Sequence, residues 1–570
     1  MTRPWADLAD KEYDVVVVGG GIFGACAAWD AALRGLSVLL LERGDFGEAT
    51  SANAYKFVHG GMRYLQQLDL VRLWESSDER SALLRVAPHL VYPLPIAMPT
   101  YGHRMRGKEV LRAGFAAYEL LTARRNRGIR DARRRIPRAR FLSRDAILRE
   151  FPDLPTDGLT GAALFADAQV YNMPRLTLGF VRAAQEAGAA AVNYAEVTRF
   201  VLDGGRVAGV EVRDVRTDSQ LRVRARVVVN AAGPWAAPLL MTGLGLDLGP
   251  KRPVFSRDVY FVTPRRLATS VGLAAATVTR DAHAVIDRGA RHLFLVPWRE
   301  FTLVGVWHGV HRGSIDDVRV QPDELERLVE EANQAYPGLG LVPEDIRLVN
   351  TGLILFGDAR QDERSHDFGK RSLLIDHARE HGIEGLITLV GVRSTVARVM
   401  ADRTMTLALA KLRRPGAPCR TADTPIHGGD VPDFEGLVAS IAARIPAGMP
   451  AAARALAHNY GARYADVVAC ADGRAELLAP LEGSAVLGAE IVHAVRREMA
   501  TTLGDVVHRR TDLGTAGRPS DDALQAGAAI MGRELGWDGA RSAAEIAKVE
   551  AFFQHKGAIR AFGAAEAALA

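Results

Sequence analysis

The sequence contains very little cysteine. Its three cysteines, Cys26, Cys419 and Cys470, lie far apart among 570 residues. A disulfide framework shows several cysteines at short spacings, and a zinc site shows its ligands in closely spaced pairs. The sequence has neither pattern, so we expect no disulfide framework and no metal site.

Long apolar runs are also missing. No window reaches the roughly eighteen consecutive apolar residues that span a bilayer as a helix. The N-terminal residues lack the apolar core of a secretory signal. We therefore expect a cytoplasmic protein that is at most peripheral at the inner face of the cytoplasmic membrane.

The remaining composition is that of an ordinary globular protein. Hydrophobic residues make up 48% of the chain and charged residues 24%, and both proportions are typical. A chain of this length is expected to form two or three domains with a large core.

The segment 13–42 has the pattern of a strand, a helix and a second strand. Four consecutive valines, Val15 to Val18, predict a buried parallel strand. Apolar residues at helical spacing follow, and the run from Ser37 to Leu41 predicts the second strand. The segment therefore predicts one complete βαβ unit.

Three glycines in this unit have the spacing G-x-G-x-x-G. Gly19 permits the tight turn, Gly21 lets a pyrophosphate approach the backbone, and Gly24 lets helix and strand pack closely. Glu42 ends the second strand, where a carboxylate can accept hydrogen bonds from a ribose. The unit therefore predicts dinucleotide binding.

Further motifs make the resemblance to a known family specific. They are, in chain order, Thr50-Ser51, Lys56, His59-Gly60-Gly61-Met62-Arg63-Tyr64-Leu65, the run VVVNAAGPW at 227–235, Val296-Pro297-Trp298, and the run EIVHAVRREM at 490–499. Together they resemble the FAD-dependent glycerol-3-phosphate dehydrogenases of the D-amino-acid-oxidase-like flavoprotein superfamily. The resemblance implies FAD as the cofactor, a small anionic substrate, and a quinone as electron acceptor.

The same resemblance implies an α/β fold with three parts. These are a Rossmann-like FAD-binding domain, an antiparallel-sheet substrate domain and a C-terminal helical domain. We expect the oxidoreductase part in residues 1–415, with FAD-binding segments at 13–100, 145–250 and 385–412, the substrate sheet at 251–384, and the helical domain at 420–570. Apolar residues at helical spacing from Leu487 to Leu503 predict one long amphipathic helix in the last part.

The glycine motif and the resemblance together give a set of expected cofactor-binding residues. They are Gly19, Gly21, Gly24, Glu42, Arg43, Thr50, Ser51, Lys56, Gly60, Gly61, Val197, Ala232, Gly233, Trp235, Gly391 and Val392. Lys56 is expected to support the flavin or its loop rather than to act in acid–base chemistry.

Four residues are candidates for the catalytic site: Arg63, His59, Arg393 and Lys370. The guanidinium fork of Arg63 could hold a phosphate or a carboxylate, although it could equally pair with a protein carboxylate. The unperturbed pKa of a histidine lies near neutrality, so His59 suits either proton transfer or hydrogen bonds that hold its loop. Lys370 and Arg393 retain positive charge where the family also carries cations.

Several positions depart from the family pattern. Ile354 stands where the family places a phosphate-binding arginine, and Arg393 stands where the family has a lysine. Loss of one charge-assisted hydrogen bond costs about 1.5–3 kcal/mol, or roughly ten- to a hundredfold in affinity. His308 is a further departure, and it is either a pocket residue or an ordinary histidine at a strand end.

The segment 104–144 is strongly basic, with fourteen Arg or Lys residues against three acidic ones. Within it, an apolar helical face consists of Val110, Leu111, Phe115, Tyr118 and Leu121. Such a helix either lies on an anionic membrane surface or packs on its own domain. Because the patch lacks interleaved aromatics and any nucleic-acid-binding motif, we expect no nucleic acid partner.

Three functional hypotheses follow. The first is oxidation of sn-glycerol 3-phosphate with electrons passed to quinone. The second keeps FAD and hydride transfer but changes the substrate to another hydroxy acid, polyol phosphate or amine, with quinone or oxygen as acceptor. The third is a flavin-binding docking module with little turnover.

Overall fold

The computed structural model describes residues 5–9, 11–62, 64, 68–102, 108–249, 252–277, 292–358 and 371–555. The strands are β1 Glu12–Val18, β2 Val38–Leu41, β3 Phe57–Val58, β4 Val91–Tyr101, β5 Arg140–Ser143, β6 Leu159–Val170, β7 Ala190–Val192, β8 Ala195–Asp203, β9 Arg206–Asp214, β10 Gln220–Asn230, β11 Pro253–Thr263, β12 Gly272–Ala276, β13 His292–Trp298, β14 Phe301–His311, β15 Leu348–Asp358, β16 Leu373–Asp376 and β17 Leu386–Val390.

Helices separate these strands and make up most of the C-terminal part. They are α1 Ile22–Leu33, α2 Leu70–Val86, α3 Lys108–Leu121, α4 Arg144–Glu150, α5 Met173–Glu186, α6 Ala236–Leu244, α7 Pro322–Ala335, α8 His377–His381, α9 Ala397–Leu412, α10 Phe434–Ala442, α11 Pro450–Tyr460, α12 Tyr464–Ala469, α13 Gly488–Glu498, α14 Leu503–Asp505, α15 Asp521–Leu535 and α16 Gly539–His555. A π-helical turn, Val506–Arg510, follows α14.

The first sheet has the strand order β16-β17-β10-β1-β2-β7, and its central strands are parallel. The valines of β1 are buried on both faces of this sheet. Val15 and Val17 pack in one core cluster with residues of α1, α5 and α9, while Val16 and Val18 pack in another with the β8–β9 hairpin and α6. Cover on both faces explains why the strand reads as a continuous apolar run.

The second sheet has the order β15-β11-β14-β13-β12-β4-β6-β3, with β5 added at β6. Most of its pairings are antiparallel, and β12 with β4 is a parallel pair. The sheet takes in β4 and β6, which lie in the ranges 13–100 and 145–250 that were expected for FAD binding. Conversely, β16 lies in the range 251–384 that was expected for the substrate sheet, but it pairs with β17 in the first sheet.

Three residues of the apolar face of α3 are buried inside the protein. Leu111, Phe115 and Tyr118 are at most 7% exposed, and the Tyr118 hydroxyl donates to the Gly60 carbonyl at 2.8 Å. Of the two interpretations of the Arg-rich segment, packing on its own domain therefore holds for this helix, because its apolar residues already contact the rest of the protein. Within the described residues, no helix combines the length and the hydropathy that a membrane crossing requires.

The single long helix predicted between Leu487 and Leu503 is wrong. Helix α13 ends at Glu498 because Met499 adopts a left-handed conformation with φ 56°. The chain starts again at α14, where the Thr502 side chain accepts a hydrogen bond from the Asp505 backbone N–H. Apolar spacing continued across this break because residues on both sides of it are buried in one core.

Candidate active site

A cavity of about 1190 Å³ begins where the parallel strands of the first sheet end and extends beneath the second sheet. Ligands of open α/β sheets bind at this position, outside the carboxyl ends of the strands. The volume exceeds the roughly 300–1,000 Å³ of an ordinary small-molecule pocket. It therefore suits a long cofactor together with a small substrate.

The glycine turn after β1 brings two backbone segments into close approach. A Cβ atom on Gly19, whose φ is 103°, would lie 2.6 Å from the Ala231 carbonyl oxygen. A Cβ atom on Gly24 would lie 1.9 Å from the Gly19 carbonyl oxygen, so both positions require glycine. Beside this turn, the Ser51 hydroxyl accepts a hydrogen bond from the Ile22 N–H at the first turn of α1.

One end of the cavity carries the carboxylate expected to contact a ribose. Glu42 accepts hydrogen bonds from the backbone N–H groups of Gly20 at 2.6 Å and Gly44 at 2.8 Å. Removal from bulk water raises the pKa of Glu42 to about 7, and these two N–H groups oppose the rise. The Arg43 guanidinium lies 4.3 Å from the centre of the Trp235 ring, which also lines this end.

The opposite end is formed by the turn after β17 and by α2. The Arg393 guanidinium donates to the Ser76 hydroxyl at 2.8 Å and lies 4.9 Å from the centre of the Tyr64 ring. The Glu75 carboxylate lies 3.8 Å from the same guanidinium. Arg393 is thus fixed by α2 while it lines the cavity.

His59 lines the cavity beside a buried ion pair that the sequence did not reveal. The Asp167 carboxylate accepts hydrogen bonds from Arg80 at 2.5 Å and from the Gly60 N–H at 2.7 Å. The His59 Nδ1 atom lies 3.9 Å from the other oxygen of Asp167. Asp167 holds the His59 loop in place, yet it lies within β6, outside any recognisable motif.

A second histidine, His308, also lines the cavity, which settles the choice left open for this residue. It pairs with Asp258 across the neighbouring strands β14 and β11, and its Nδ1 lies 2.8 Å from a carboxylate oxygen. The Ser256 hydroxyl donates to the same carboxylate oxygen at 2.8 Å. Ile354 lies opposite Ser256 on β15 and also lines the cavity.

Most of the expected cofactor residues line this one cavity. They are Gly19, Gly21, Glu42, Arg43, Thr50, Ser51, Gly61, Val197, Ala232, Gly233, Trp235, Gly391 and Val392. Gly24 and Gly60 support its wall from behind, through the contacts described above.

Lys56 does not line the cavity itself, but it packs against Tyr260 of the second sheet, which does. Its ammonium donates to the Tyr260 hydroxyl at 2.8 Å and lies 4.6 Å from the centre of the Trp298 ring. Burial, with a smaller contribution from the charge of Arg299, lowers the pKa of Lys56 to about 7. Lys56 thus supports the sheet above the site, whereas Arg63 and Lys370 lie outside the described residues.

Comparisons with known proteins agree with this geometry. A family model described as FAD dependent oxidoreductase matches residues 14–393, and one described as the C-terminal domain of alpha-glycerophosphate oxidase matches residues 419–542. The chain is 30% identical over 519 residues to a glycerol-3-phosphate dehydrogenase of Synechocystis sp., covering 89% of this chain and 90% of the relative. It is 28% identical over 537 residues to the aerobic glycerol-3-phosphate dehydrogenase of Bacillus subtilis, covering 89% and 88%.

A solved structure shows that the fold is shared. The glycerol-3-phosphate dehydrogenase from Bacillus halodurans, solved in complex with FAD, matches with a TM-score of 0.74 and 23% identity. The match covers 97% of this chain and 98% of the other. The expected α/β fold with an FAD-binding domain, an antiparallel sheet and a C-terminal helical domain is therefore confirmed.

The residues at the cavity fit FAD. A glycine turn at a helix N-terminus suits a pyrophosphate, Glu42 suits a ribose, and the small residues Ala232 and Gly233 allow close approach of the cofactor. The chain therefore provides a place for the pyrophosphate and for a ribose of the dinucleotide.

We predict that FAD affinity depends on the ionisation of Glu42. Its pKa of about 7 means that the carboxylate becomes a charged acceptor for ribose hydroxyls as the pH rises through neutrality. FAD affinity of the apoprotein should therefore increase about tenfold from pH 6 to pH 8, since one pH unit below the pKa leaves about a tenth of the groups ionised. Fluorescence titration of the apoprotein with FAD measures this dependence.

The variant Glu42→Gln should bind FAD more weakly and lose the pH dependence. Glu196→Gln is the matched control, because Glu196 is a second carboxylate lining the same end of the cavity and it pairs with Arg213, outside the Glu42 loop. It should keep the increase between pH 6 and pH 8. An unchanged pH dependence in Glu42→Gln would refute the assignment.

Proposed function

The chain belongs to the family of FAD-dependent glycerol-3-phosphate dehydrogenases, and we propose that it oxidises sn-glycerol 3-phosphate to dihydroxyacetone phosphate. The observation that carries this proposal is the extent of the relationship. It covers the oxidoreductase domain and the C-terminal domain together, at 30% identity over 89% of the chain. The large cavity, with room beside a dinucleotide, adds support.

The chemistry divides between the cofactor and the chain. FAD, when bound, would supply the hydride acceptor for the carbinol carbon. The chain must hold the substrate anion, orient its C–H bond and take the hydroxyl proton. In our proposal the anion is held at the end of the cavity where α2 fixes Arg393. Arg63 and Lys370 remain proposed anion-binding residues from the sequence.

Four described histidines line the cavity, namely His59, His292, His308 and His555, and we favour His308 as the proton acceptor. The Asp258 carboxylate at its Nδ1 selects the tautomer in which Nε2 is the basic nitrogen, and it stabilises the charge that protonation creates. At His59 the corresponding carboxylate is 3.9 Å away, and Asp167 already accepts from Arg80 and from Gly60. Asp167 is therefore less able to orient His59 or to stabilise its protonated form.

We expect His308→Asn to lower kcat/KM for the substrate by roughly a hundred- to ten-thousandfold, the usual contribution of a general base. His59→Asn, the matched control in the same cavity, should cost less than tenfold. Stopped-flow reduction of the bound flavin under anaerobic conditions measures both rates. A larger loss in His59→Asn would assign the proton to His59 instead.

A specific observation supports a second candidate function. Ile354 lines the cavity next to the Asp258–His308 pair. Among the described residues that β11, β14 and β15 contribute to the cavity, none is Arg or Lys. This surface suits a substrate without a phosphate at that position, such as another hydroxy acid or an amine, or a polyol phosphate held differently.

Anaerobic titration of the holoenzyme with sn-glycerol 3-phosphate separates the candidates. Saturable bleaching of the flavin supports the proposed activity, and Ile354→Arg should then reduce the half-saturating concentration roughly ten- to a hundredfold. Val342→Arg, at an exposed position outside the cavity lining, is the control for added charge. Bleaching only by another hydroxy acid, polyol phosphate or amine would support the second function. Failure of every donor would point to a docking module with little turnover.

We propose a quinone as the electron acceptor, reached at a membrane surface. Large apolar side chains are exposed at the start of α2, where Leu68, Val71 and Trp74 are 71%, 68% and 44% exposed. Between them in sequence, Arg72 lines the cavity together with Tyr64. An apolar surface beside a cavity entrance suits contact with the lipid in which a quinone dissolves.

Replacing Leu68, Val71 and Trp74 by Ser should reduce sedimentation with anionic phospholipid vesicles and slow the reduction of vesicle-borne quinone. Reduction of a water-soluble acceptor dye should remain unchanged, because the substitutions leave the flavin in place. Leu120→Ser is the matched control: Leu120 is 79% exposed and lies on α3 in the Arg-rich segment. If Leu120→Ser alone abolished sedimentation, the Arg-rich segment would be the part that contacts the membrane. If every variant still sedimented with the vesicles, the membrane proposal would be refuted.

A further inference from the structure

The loop that follows β2 is held from the C-terminal domain. Asp45 lies in the middle of this loop and is fully buried. The Arg510 guanidinium donates two hydrogen bonds to its carboxylate, at 2.6 and 2.7 Å, and the Arg509 Nε donates a third at 2.6 Å. Both arginines belong to the π-helical turn of the C-terminal part, and Arg510 is also fully buried.

On its other side, Asp45 is connected to the cofactor cavity through the backbone. The Gly44 N–H, next to Asp45, donates to the Glu42 carboxylate at 2.8 Å. The Gly47 N–H donates to the carbonyl of Gly20, within the glycine turn, at 3.0 Å. The segment 42–51, which lines the cavity over most of its length, therefore has its buried anchor at Asp45.

The strand that forms the opposite wall is tied to the same network. Asn193 donates from its side chain to Asp45 at 3.0 Å and to the Met499 carbonyl at 3.1 Å. The Tyr194 hydroxyl donates to Asp505 at 2.5 Å. These residues lead directly into β8, whose Val197 lines the cavity. Segment 42–51 and the start of β8, which form two walls of the cavity around Glu42, are thus both bonded to C-terminal residues in one buried cluster.

The charges of this cluster balance one another. Arg509 pairs with both Asp45 and Asp505, so two guanidinium groups face two fully buried carboxylates, and the half-exposed Glu48 carboxylate lies 3.9 Å from Arg509 at the edge of the cluster. Burial alone would raise the pKa of Asp45, but Arg510 and Arg509 hold it well below its usual range. Loss of either arginine would leave a buried negative charge without its partner, and the loop would have to move to hydrate it.

We propose that the C-terminal domain acts as a clamp on FAD, in which Arg509 and Arg510 are positioning residues that hold segment 42–51 in its cofactor-binding conformation through Asp45. Neither arginine lines the cavity, so the effect passes through the loop. FAD affinity then depends on docking of the C-terminal domain. This inference rests on FAD as the cofactor and not on the identity of the substrate.

A second buried ion pair across the same boundary provides a matched control. Arg175 on α5 donates to both oxygens of the Glu498 carboxylate, at 2.8 and 2.7 Å, and both side chains are at most 3% exposed. In the described structure this carboxylate has no hydrogen bond to segment 42–51, and the two bonds that Arg510 donates to Glu498, at 3.2 and 3.0 Å, go to its backbone carbonyl, which a side-chain substitution leaves in place. Glu498→Gln therefore weakens the domain boundary without touching the cofactor loop.

The test compares full-length Arg510→Met, Asp45→Asn and Glu498→Gln. The dissociation constant and the release rate of FAD are measured by flavin fluorescence without substrate, alongside the midpoint of thermal unfolding. We expect Arg510→Met and Asp45→Asn to weaken FAD binding at least tenfold. Glu498→Gln should lower the unfolding midpoint while changing the FAD dissociation constant less than twofold.

Two results would overturn the clamp. One is unchanged FAD affinity in Arg510→Met, and the other is an equal loss of affinity in Glu498→Gln, which would show a general effect of weakened docking. If Arg510→Met does not fold, Arg510→Lys keeps the charge but loses the two-pronged geometry, and the same criteria apply to it. Because no substrate is used, failure of sn-glycerol 3-phosphate to bleach the flavin would leave this result intact.

Discussion

Close approach of backbone at the end of β1 is the constraint on which the rest of the structure depends. At Gly19 the chain passes so near to Ala231 that a single added carbon would overlap the carbonyl oxygen, and Gly24 allows α1 to lie equally close to the turn. This packing fixes where β1, β10 and α1 meet. It therefore fixes the carboxyl edge of the sheet, next to which segment 42–51, the β8–β9 hairpin and the turn after β17 all lie. The second sheet then covers that edge and closes the cavity.

Local patterns allowed the nucleotide-binding half of this arrangement to be predicted. A run of four valines, three spaced glycines and Glu42 each signal one structure at short range, and they agree with one another. The prediction of one helix at 487–503 was wrong for a local reason, because the left-handed conformation of Met499 does not change the spacing of the apolar residues. Strand β4 was hard to predict from the sequence. It carries Pro93, Pro95 and Pro99, and prolines normally argue against a strand with neighbours on both sides, yet β4 lies between β12 and β6.

The residues that sequence reasoning missed are those whose meaning comes from a distant partner. Asp167 gains its role from Arg80 on another element, and Asp258 from a histidine on the neighbouring strand. The Arg-rich segment shows the same limit in reverse. Arg125 pairs with Glu119, and Arg134 lies over the Phe434 ring. Some arginines of this segment therefore stabilise packing within the protein and do not form a charged surface. Composition records the charge but not the direction in which each side chain points.

The separation of Asp45 from its arginine partners has a consequence for the order in which the molecule matures. Asp45 and Arg509 are 464 residues apart, and Arg510 is one residue farther. At a synthesis rate of about 5–20 residues per second, roughly 20–90 s pass between the appearance of the carboxylate and that of the guanidinium groups. During this interval the carboxylate has only water and local groups to neutralise it, so segment 42–51 cannot yet be buried as it is in the finished chain. All strands of the first sheet, the last of which ends at Val390, are synthesised before Arg509, so the last step in the assembly of segment 42–51 waits for residues that follow the whole sheet in the chain.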